Sequence, residues 1–307
     1  MELFQVSNGR LKVSQEVKFA LEKEIQKLTE QNLEIVFGLK FISSEFSLQN
    51  FRIDTLAFDE ESKSFVVIEY KKDRSFSVID QGYSYLGLLV NNKADFILEY
   101  NEKTKKNLKR ENVDWSQSRV IFVSNSFTTY QQNAINFKDL PIELWEMRRY
   151  DNGTVLYNQL KSPDSNESIK TVSKNKTIES VSKEVRRYSV DEHFKRGWDK
   201  GRELFDEFRP RVLELDSRIL ESPNRSYIGY KIGSKNIIAV NSRRSTINIT
   251  FTRTQPKDLK DPEGKVKYVK NSMKYYNQHQ SYFIVGNSED IDYAMSLIKQ
   301  VYKKHFV

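Results

Sequence analysis

The sequence contains no cysteine, which excludes a disulfide framework, a thiolate metal site and a cysteine nucleophile. Its three histidines, His193, His279 and His305, are scattered without ligand spacing, so a histidine-built metal or catalytic centre is not expected. Glycine is scarce at 11 residues in 307; Gly229 and Gly233 flank a strand-like run, and nothing after them builds a phosphate-cradling loop. Long apolar runs are also missing. The best of them, Tyr85 to Val90, falls far short of the ~18 residues that argue for a membrane span. The first residues, Met1 to Gln5, lack the basic and apolar regions of a signal peptide. These absences lead us to expect a soluble, cytoplasmic protein, and the length suits about two domains of ordinary size.

What is present in quantity is charge, and it is unevenly placed. The formal net charge is +8. Residues 1–150 hold 21 basic against 22 acidic side chains, residues 151–186 hold 6 against 5, and residues 187–307 hold 23 against 15. Within the last segment, residues 231–274 carry 11 basic and 3 acidic groups. Such a region can meet nucleic acid or an anionic membrane face, or be an ordinary solvated surface. Arg243, Arg244 and Arg253 alternate with β-branched residues there. Lys267, Lys270 and Lys274 interleave with Tyr268, Tyr275 and Tyr276, a pattern able to supply phosphate contacts and stacking platforms.

Along the chain, Val17, Leu21, Ile25 and Leu28 recur at helical spacing and predict a helix over Ser14–Leu33, continued through Glu34 and Phe37 and closed by Gly38. Three strand-like runs follow, residues 39–48, 51–58 and 65–71, the last two joined by a hairpin loop. Val78–Val90 returns to helical spacing. Val120–Val123 suits a buried strand, Thr128–Phe137 a helix and Ile142–Tyr150 a strand, with Asn152-Gly153 turning to residues 154–157. Residues 161–186 are rich in Ser, Lys, Asn and Thr and read as a flexible linker. Beyond it, Val190–Leu215 is expected to be helical, followed by four strands and a C-terminal helix opened by Ser288. We therefore expect an α/β chain: a domain over 1–160 with a mixed sheet flanked by helices, and a smaller basic α+β domain over 187–307 for substrate binding or partner interaction.

The chemistry is concentrated between Asp54 and Tyr85. Asp54, Glu69 and Lys71 interrupt runs that otherwise read as buried strands, and burying charge without a partner is costly. Residues two apart on a strand share a face, so Glu69 and Lys71 project together and Tyr70 points the other way. If the two strands pair as a hairpin, Asp54 lies next to Glu69, and two carboxylates at that separation repel unless a cation joins them. A hard divalent ion, Mg²⁺ foremost, would satisfy both. An adjacent ammonium could orient water and offset charge on a phosphate. Gln81 and Tyr85 share a helix face at i and i+4. Lys72, Arg74 and Lys93 read as surface charges, and the alternative for the acid–lysine group itself is a structural ion-pair cluster.

Asp54, Glu69-Tyr70-Lys71 and Gln81-x-x-x-Tyr85, in a helix, three-strand, helix, strand order over residues 14–150, resemble the PD-(D/E)xK nuclease superfamily, especially its RecB-like and NucS-like branch. The resemblance implies a restriction-endonuclease-like fold and a DNA endonuclease of phage defence, restriction or repair. RNA stands open beside DNA, and a homodimer is the simplest way to cut both strands. It further implies that Asp54, Glu69 and the backbone carbonyl of Tyr70 bind Mg²⁺ or Mn²⁺, that Glu34 supports the metal, that Lys71 assists the attacking water, and that Gln81 and Tyr85 position the strand. The family's usual Pro-Asp is Ile53-Asp54 here. Arg243, Arg244, Arg253, Lys267 and Lys270 are the candidate nucleic-acid contacts. The C-terminal part resembles an uncharacterised family labelled a predicted transport domain. The other reading is a non-catalytic nucleic-acid or protein-binding module on the same fold, one that would serve a membrane-associated process.

Overall fold

The apolar run that ends in Glu69-Tyr70-Lys71 is a strand, Ser64–Lys71, in which every residue but the terminal lysine is buried. A strand is apolar on both faces when helices cover both, and this one is central to a mixed sheet. The computed structural model describes residues 2–71, 77–137, 140–160, 176–233 and 235–306. The chain divides into two units, Met1–Arg187 and Tyr188–Val307. Lys72 and Arg74, and residues 161–175 of the expected linker, lie outside the described residues.

The first unit begins with an isolated hairpin, β1 (Leu3–Ser7) and β2 (Arg10–Ser14), then β3 (Glu16–Val17), α1 (Glu22–Gln31) and α2 (Leu33–Phe37). It continues through β4 (Lys40–Leu48), β5 (Phe51–Asp59), β6 (Ser64–Lys71), α3 (Val78–Asn91), α4 (Lys93–Thr104), β7 (Arg119–Ser124), α5 (Thr129–Ala134), β8 (Ile142–Tyr150), β9 (Val155–Leu160) and α6 (Lys176–Glu184). The sheet runs β3-β8-β7-β6-β5-β4, with β9 also paired to β8. Strands β6, β7 and β8 are mutually parallel, so α3 and α5 lie on crossovers between parallel neighbours. Leu56, Phe58, Phe65 and Val67 point to the face that packs against α3 and α4. Ala57, Val66, Ile68 and Tyr70 point to the opposite face, where Ile25 of α1 and Leu33 and Phe37 of α2 are buried. Each of the valine, leucine, isoleucine and phenylalanine side chains among them contributes about 1.5–3 kcal/mol on burial.

The first unit departs from the sequence pattern in three places. The helix expected over 14–33 starts only at Glu22, because Glu16 and Val17 pair with Tyr150 and Arg149 at the edge of β8. Before it, Phe4, Val6, Leu11 and Val13 were not foreseen as strands; Phe4 faces Val13 and Val6 faces Leu11 around a turn in which Asn8 and Gly9 both take positive φ. The linker's second half is not a loose tether. Lys176–Glu184 is helical, and Ile178, Val181 and Val185 are buried in the same core as α3. Three apolar residues at helical spacing were enough to anchor a segment whose composition is otherwise polar.

The second unit contains α7 (Asp199–Leu213), β10 (Leu220–Pro223), β11 (Ile228–Ile232), β12 (Lys235–Ser242), β13 (Ile247–Thr252), β14 (Lys267–Tyr268), α8 (Ser272–Tyr276), β15 (Gln280–Val285) and α9 (Ser288–Phe306). Its antiparallel sheet has the order β10-β11-β12-β13-β15-β14. The helix expected over 190–215 begins only at Asp199, because Gly197 takes a left-handed φ of 82° that interrupts helical backbone. Helices α7 and α9 both pack on β12 and β13. The C-terminal helix opens at Ser288 with Glu289 and Asp290 in its first turn, as the sequence indicates.

Candidate active site

The site is built where β5 and β6 end. The antiparallel register pairs Thr55 with Ile68, and one further step places Asp54 opposite Glu69. Cross-strand partners share a face, so the two carboxylates meet. Asp54 Oδ2 accepts the Tyr70 backbone N–H at 3.0 Å. Glu69 Oε1 accepts from Lys71 Nζ at 2.8 Å, while Glu69 Oε2 is buried and the Tyr85 hydroxyl lies close enough to interact with the carboxylate. Glu69 is 4% exposed. Burial pushes its carboxyl above the ordinary range, the Asp54 charge pushes it further, and Lys71 counters both. Asp54 is likewise raised by burial, against the pull of the Tyr70 amide and of Lys71.

Helix α3 supplies the third wall. Ser77 caps it by accepting the Asp80 N–H at 3.3 Å, and Gly82 lets it approach the sheet, since a Cβ there would lie 2.4 Å from Ile142 Cδ1. That closeness brings Tyr85 to the strand ends. Its ring meets Phe51 edge-on and its hydroxyl donates to the Arg52 carbonyl at a long 3.4 Å. Burial and then the Glu69 charge hold its proton on. One turn earlier, Gln81 is half-buried and its Oε1 has no hydrogen-bond donor.

Glu34 is not brought to this site. It stands exposed on α2, because Leu33 and Phe37 take that short helix's buried face. The helix carboxylate that reaches the strands is Glu30 of α1, whose Oε1 accepts from Thr55 Oγ1 at 2.6 Å and from Gln26 Nε2 at 3.0 Å. Gln26 also donates to the Asp54 carbonyl at 2.9 Å. Glu30 and Gln26 lie on the face of α1 that carries buried Ile25 and Thr29, a helical phase that could have found them. The parallel register adds Ser124 beside Lys71 and Glu146 beside Ser124, neighbours that only sheet pairing reveals. Lys93 is held by Glu184 and lies over the Trp115 ring.

Among the described residues no three acidic or histidine side chains form a metal-binding group. Two carboxylates that face each other, one almost wholly buried, nevertheless suit an ion that keeps most of its waters, as Mg²⁺ does. In the second unit, Arg243 and Arg244 are exposed in the β12–β13 turn, whereas Lys267 and Lys270 are exposed on and after β14. Arg253 turns inward, donating to the Asn236 carbonyl at 2.7 Å and lying over the Phe306 ring. The five cations therefore do not form one cluster.

An uncharacterized protein of Haemophilus influenzae is 43% identical over 304 residues, covering 99% of this chain and 100% of that one. The chain belongs to the family of that protein. Residues 190–305 match the model described as a domain of unknown function, DUF5655; that description names no transport activity, so the transport label has no support here. Two solved structures are also similar in part. An EndoMS complex with double-stranded DNA is 21% identical, covering 37% of this chain and 40% of that chain at a TM-score of 0.21. A repair endonuclease from Pyrococcus abyssi is 16% identical, covering 42% of this chain and 57% of that chain, also at 0.21. The chain thus spans less than two thirds of either, and a TM-score of that size does not establish a common fold. No helix among the described residues is long and apolar enough to cross a membrane.

Proposed function

We propose that this protein is a divalent-metal-dependent nuclease that hydrolyses DNA phosphodiester bonds at a PD-(D/E)xK-type site, with RNA as the competing substrate. The observation that carries the reading is the meeting of Asp54 and Glu69 across β5 and β6, with Lys71 Nζ 2.8 Å from Glu69 Oε1. Asp54, Glu69 and the Tyr70 carbonyl would hold Mg²⁺ or Mn²⁺, which when bound supplies positive charge to the phosphate oxygens and acidifies water. Lys71 orients the attacking water and offsets charge on the phosphate. Gln81, with an amide oxygen in need of a donor, and Tyr85, with a retained proton, position the substrate strand. Glu30 and Gln26 fix the backbone at Asp54 from the other side of the sheet. This reading suits restriction, phage defence or repair in the cytoplasm, and a homodimer if both strands are cut.

The test is cleavage of plasmid, branched DNA and RNA by purified protein with Mg²⁺ or Mn²⁺, beside Asp54→Ala, Glu69→Ala and Lys71→Ala. Each substitution should lower the rate by at least about 100-fold; variants that cut as wild type does would refute the assignment. The lack of a third acidic or histidine ligand among the described residues favours one other reading, a non-catalytic module in which Glu69 and Lys71 form a structural pair. Calorimetric titration separates the two, because that module takes up no Mg²⁺.

A further inference from the structure

In the sheet of the second unit one face packs under α7 and α9, and the alternate side chains of the strands turn away from these two helices. Tyr230, Ile238, Val240, Ile249, Phe251 and Phe283 point to the helices and are buried. Their alternates form rows across the other face: Ala239 opposite Thr250, Thr250 opposite Tyr282, and Tyr282 opposite Lys267. The adjacent row runs Asn241, Asn248 and Ile284. An uncovered antiparallel face is ordinarily rich in mixed charge. Here the five strands β11, β12, β13, β14 and β15 contain no Asp or Glu at all.

Cations stand at both margins of this face. Arg243 and Arg244 are exposed in the β12–β13 turn, and Lys267, Lys270 and Lys274 are exposed at the β14 side. None of these five forms an ion pair with a described residue. Between the margins stand the neutral polar side chains of Thr250, Asn241 and Asn248, the buried Ala239, the exposed Ile284 and one aromatic ring, Tyr282. Asn248 is half-buried, and Asn241 Nδ2 donates to the Ser226 carbonyl at 2.7 Å. The distance from β12 to β14 is three strand spacings, roughly 14 Å, which is wide enough for more than one base. Tyr275, 63% exposed, and Tyr276, 49% exposed, extend the aromatic surface beside β14.

The geometry points to this face, turned away from α7 and α9, as a docking surface for single-stranded nucleic acid, with Tyr282 as a stacking platform and the marginal lysines and arginines meeting phosphates. Positive margins beside strands that contain no carboxylate complement a polyanion. A membrane or an apolar protein surface would need exposed apolar wedges, and Ile284 is the single large apolar side chain in these two rows. A duplex hides its bases from a tyrosine face, whereas an unpaired base stacks on it. The inference does not depend on Asp54 and Glu69 being catalytic.

The experiment is fluorescence anisotropy with the full chain, in EDTA and in an Asp54→Asn background, so that failure of cleavage cannot masquerade as failure of binding. The probes are a labelled oligothymidylate and oligouridylate of about 20 nucleotides, a duplex of equal length, phosphatidylserine vesicles and polyglutamate. Tight binding of either single strand over duplex is expected. Tyr282→Ala should weaken it about tenfold, Tyr282→Phe should retain it, and Lys267→Ala or Arg244→Ala should each reduce the slope of log affinity against log salt by about 0.7. Thermal melts establish that each variant folds. The proposal is overturned if single strands are not bound, if duplex, vesicles or polyglutamate bind better, or if folded Tyr282→Ala and the cation variants bind as wild type does.

Discussion

The Asp54 carboxylate and the Tyr70 backbone amide are joined at 3.0 Å, so the acid that faces Glu69 also ties the end of β5 to β6. Asp54 therefore has a structural duty that an amide can perform and an alanine cannot. Asp54→Asn keeps an acceptor for the amide and removes a charge that burial disfavours. It should be at least as stable as wild type. Asp54→Ala leaves the amide without its acceptor and should lose about 1–3 kcal/mol. Urea unfolding compares the two, and equal midpoints would show that this bond contributes nothing.

Lys71 is the ammonium that offsets Glu69. Replacing it with Met should raise the Glu69 carboxyl further and destabilise the unit, by less than the roughly 3–5 kcal/mol of a fully buried pair because Lys71 is 20% exposed. Combining Lys71→Met with Glu69→Gln should recover most of the loss. A double variant no better than Lys71→Met alone would contradict the pairing.

If Asp54 and Glu69 hold Mg²⁺, the ion should raise the melting temperature of wild type and leave Asp54→Asn unmoved. At 100 times the dissociation constant the gain is about 2.7 kcal/mol. Differential scanning fluorimetry with Mg²⁺ against EDTA reads this, and an equal shift in both proteins would place the ion elsewhere.

Two glycines on α3 should respond oppositely to alanine. At Gly82 a Cβ would meet Ile142 Cδ1 at 2.4 Å and Cγ1 at 2.9 Å, so overpacking should cost about 1–3 kcal/mol. At Gly87 the nearest atom is Thr177 Cγ2 at 3.5 Å, and alanine should stabilise the helix by roughly 0.5–1 kcal/mol. Chemical denaturation of both variants checks the sign.

Burial lowers the imidazole pKa of His193 and of His305 in the second unit; Arg253 and Lys304 lower His305 further. A lowered folded pKa means that the unfolded chain binds more protons, so stability rises with pH across this range. The contribution is complete above the ordinary value of 6.5 and is lost as pH falls from there toward the folded values. Urea midpoints of this unit, followed by Trp198 emission in a Trp115→Phe, Trp145→Phe background, should fall on acidification. His193→Gln with His305→Gln should flatten the trend, and an undiminished slope would assign it to carboxylates instead.

The sequence by itself determined the strand core and the identity of the acid–lysine group. Phe65 to Ile68 could only be buried on both faces, and Asp54, Glu69 and Lys71 were conspicuous as charges inside apolar runs. Gly38, with its left-handed φ of 57°, ended α2 as glycine at that position should. Other features depended on contacts between distant segments. Val17 has a helical period with Leu21, yet it pairs with Arg149 because the edge of β8 was open to it. Glu34 and Glu30 are one turn apart on successive helices, and only packing against β5 turned Glu30 inward and left Glu34 in solvent. The segment from Lys176 to Val185 looked like a tether until α3 gave Ile178, Val181 and Val185 a surface to cover. Local pattern fixes which face of an element is apolar; which partner that face finds, and so which polar groups are brought together at its edge, is decided by the assembled sheet.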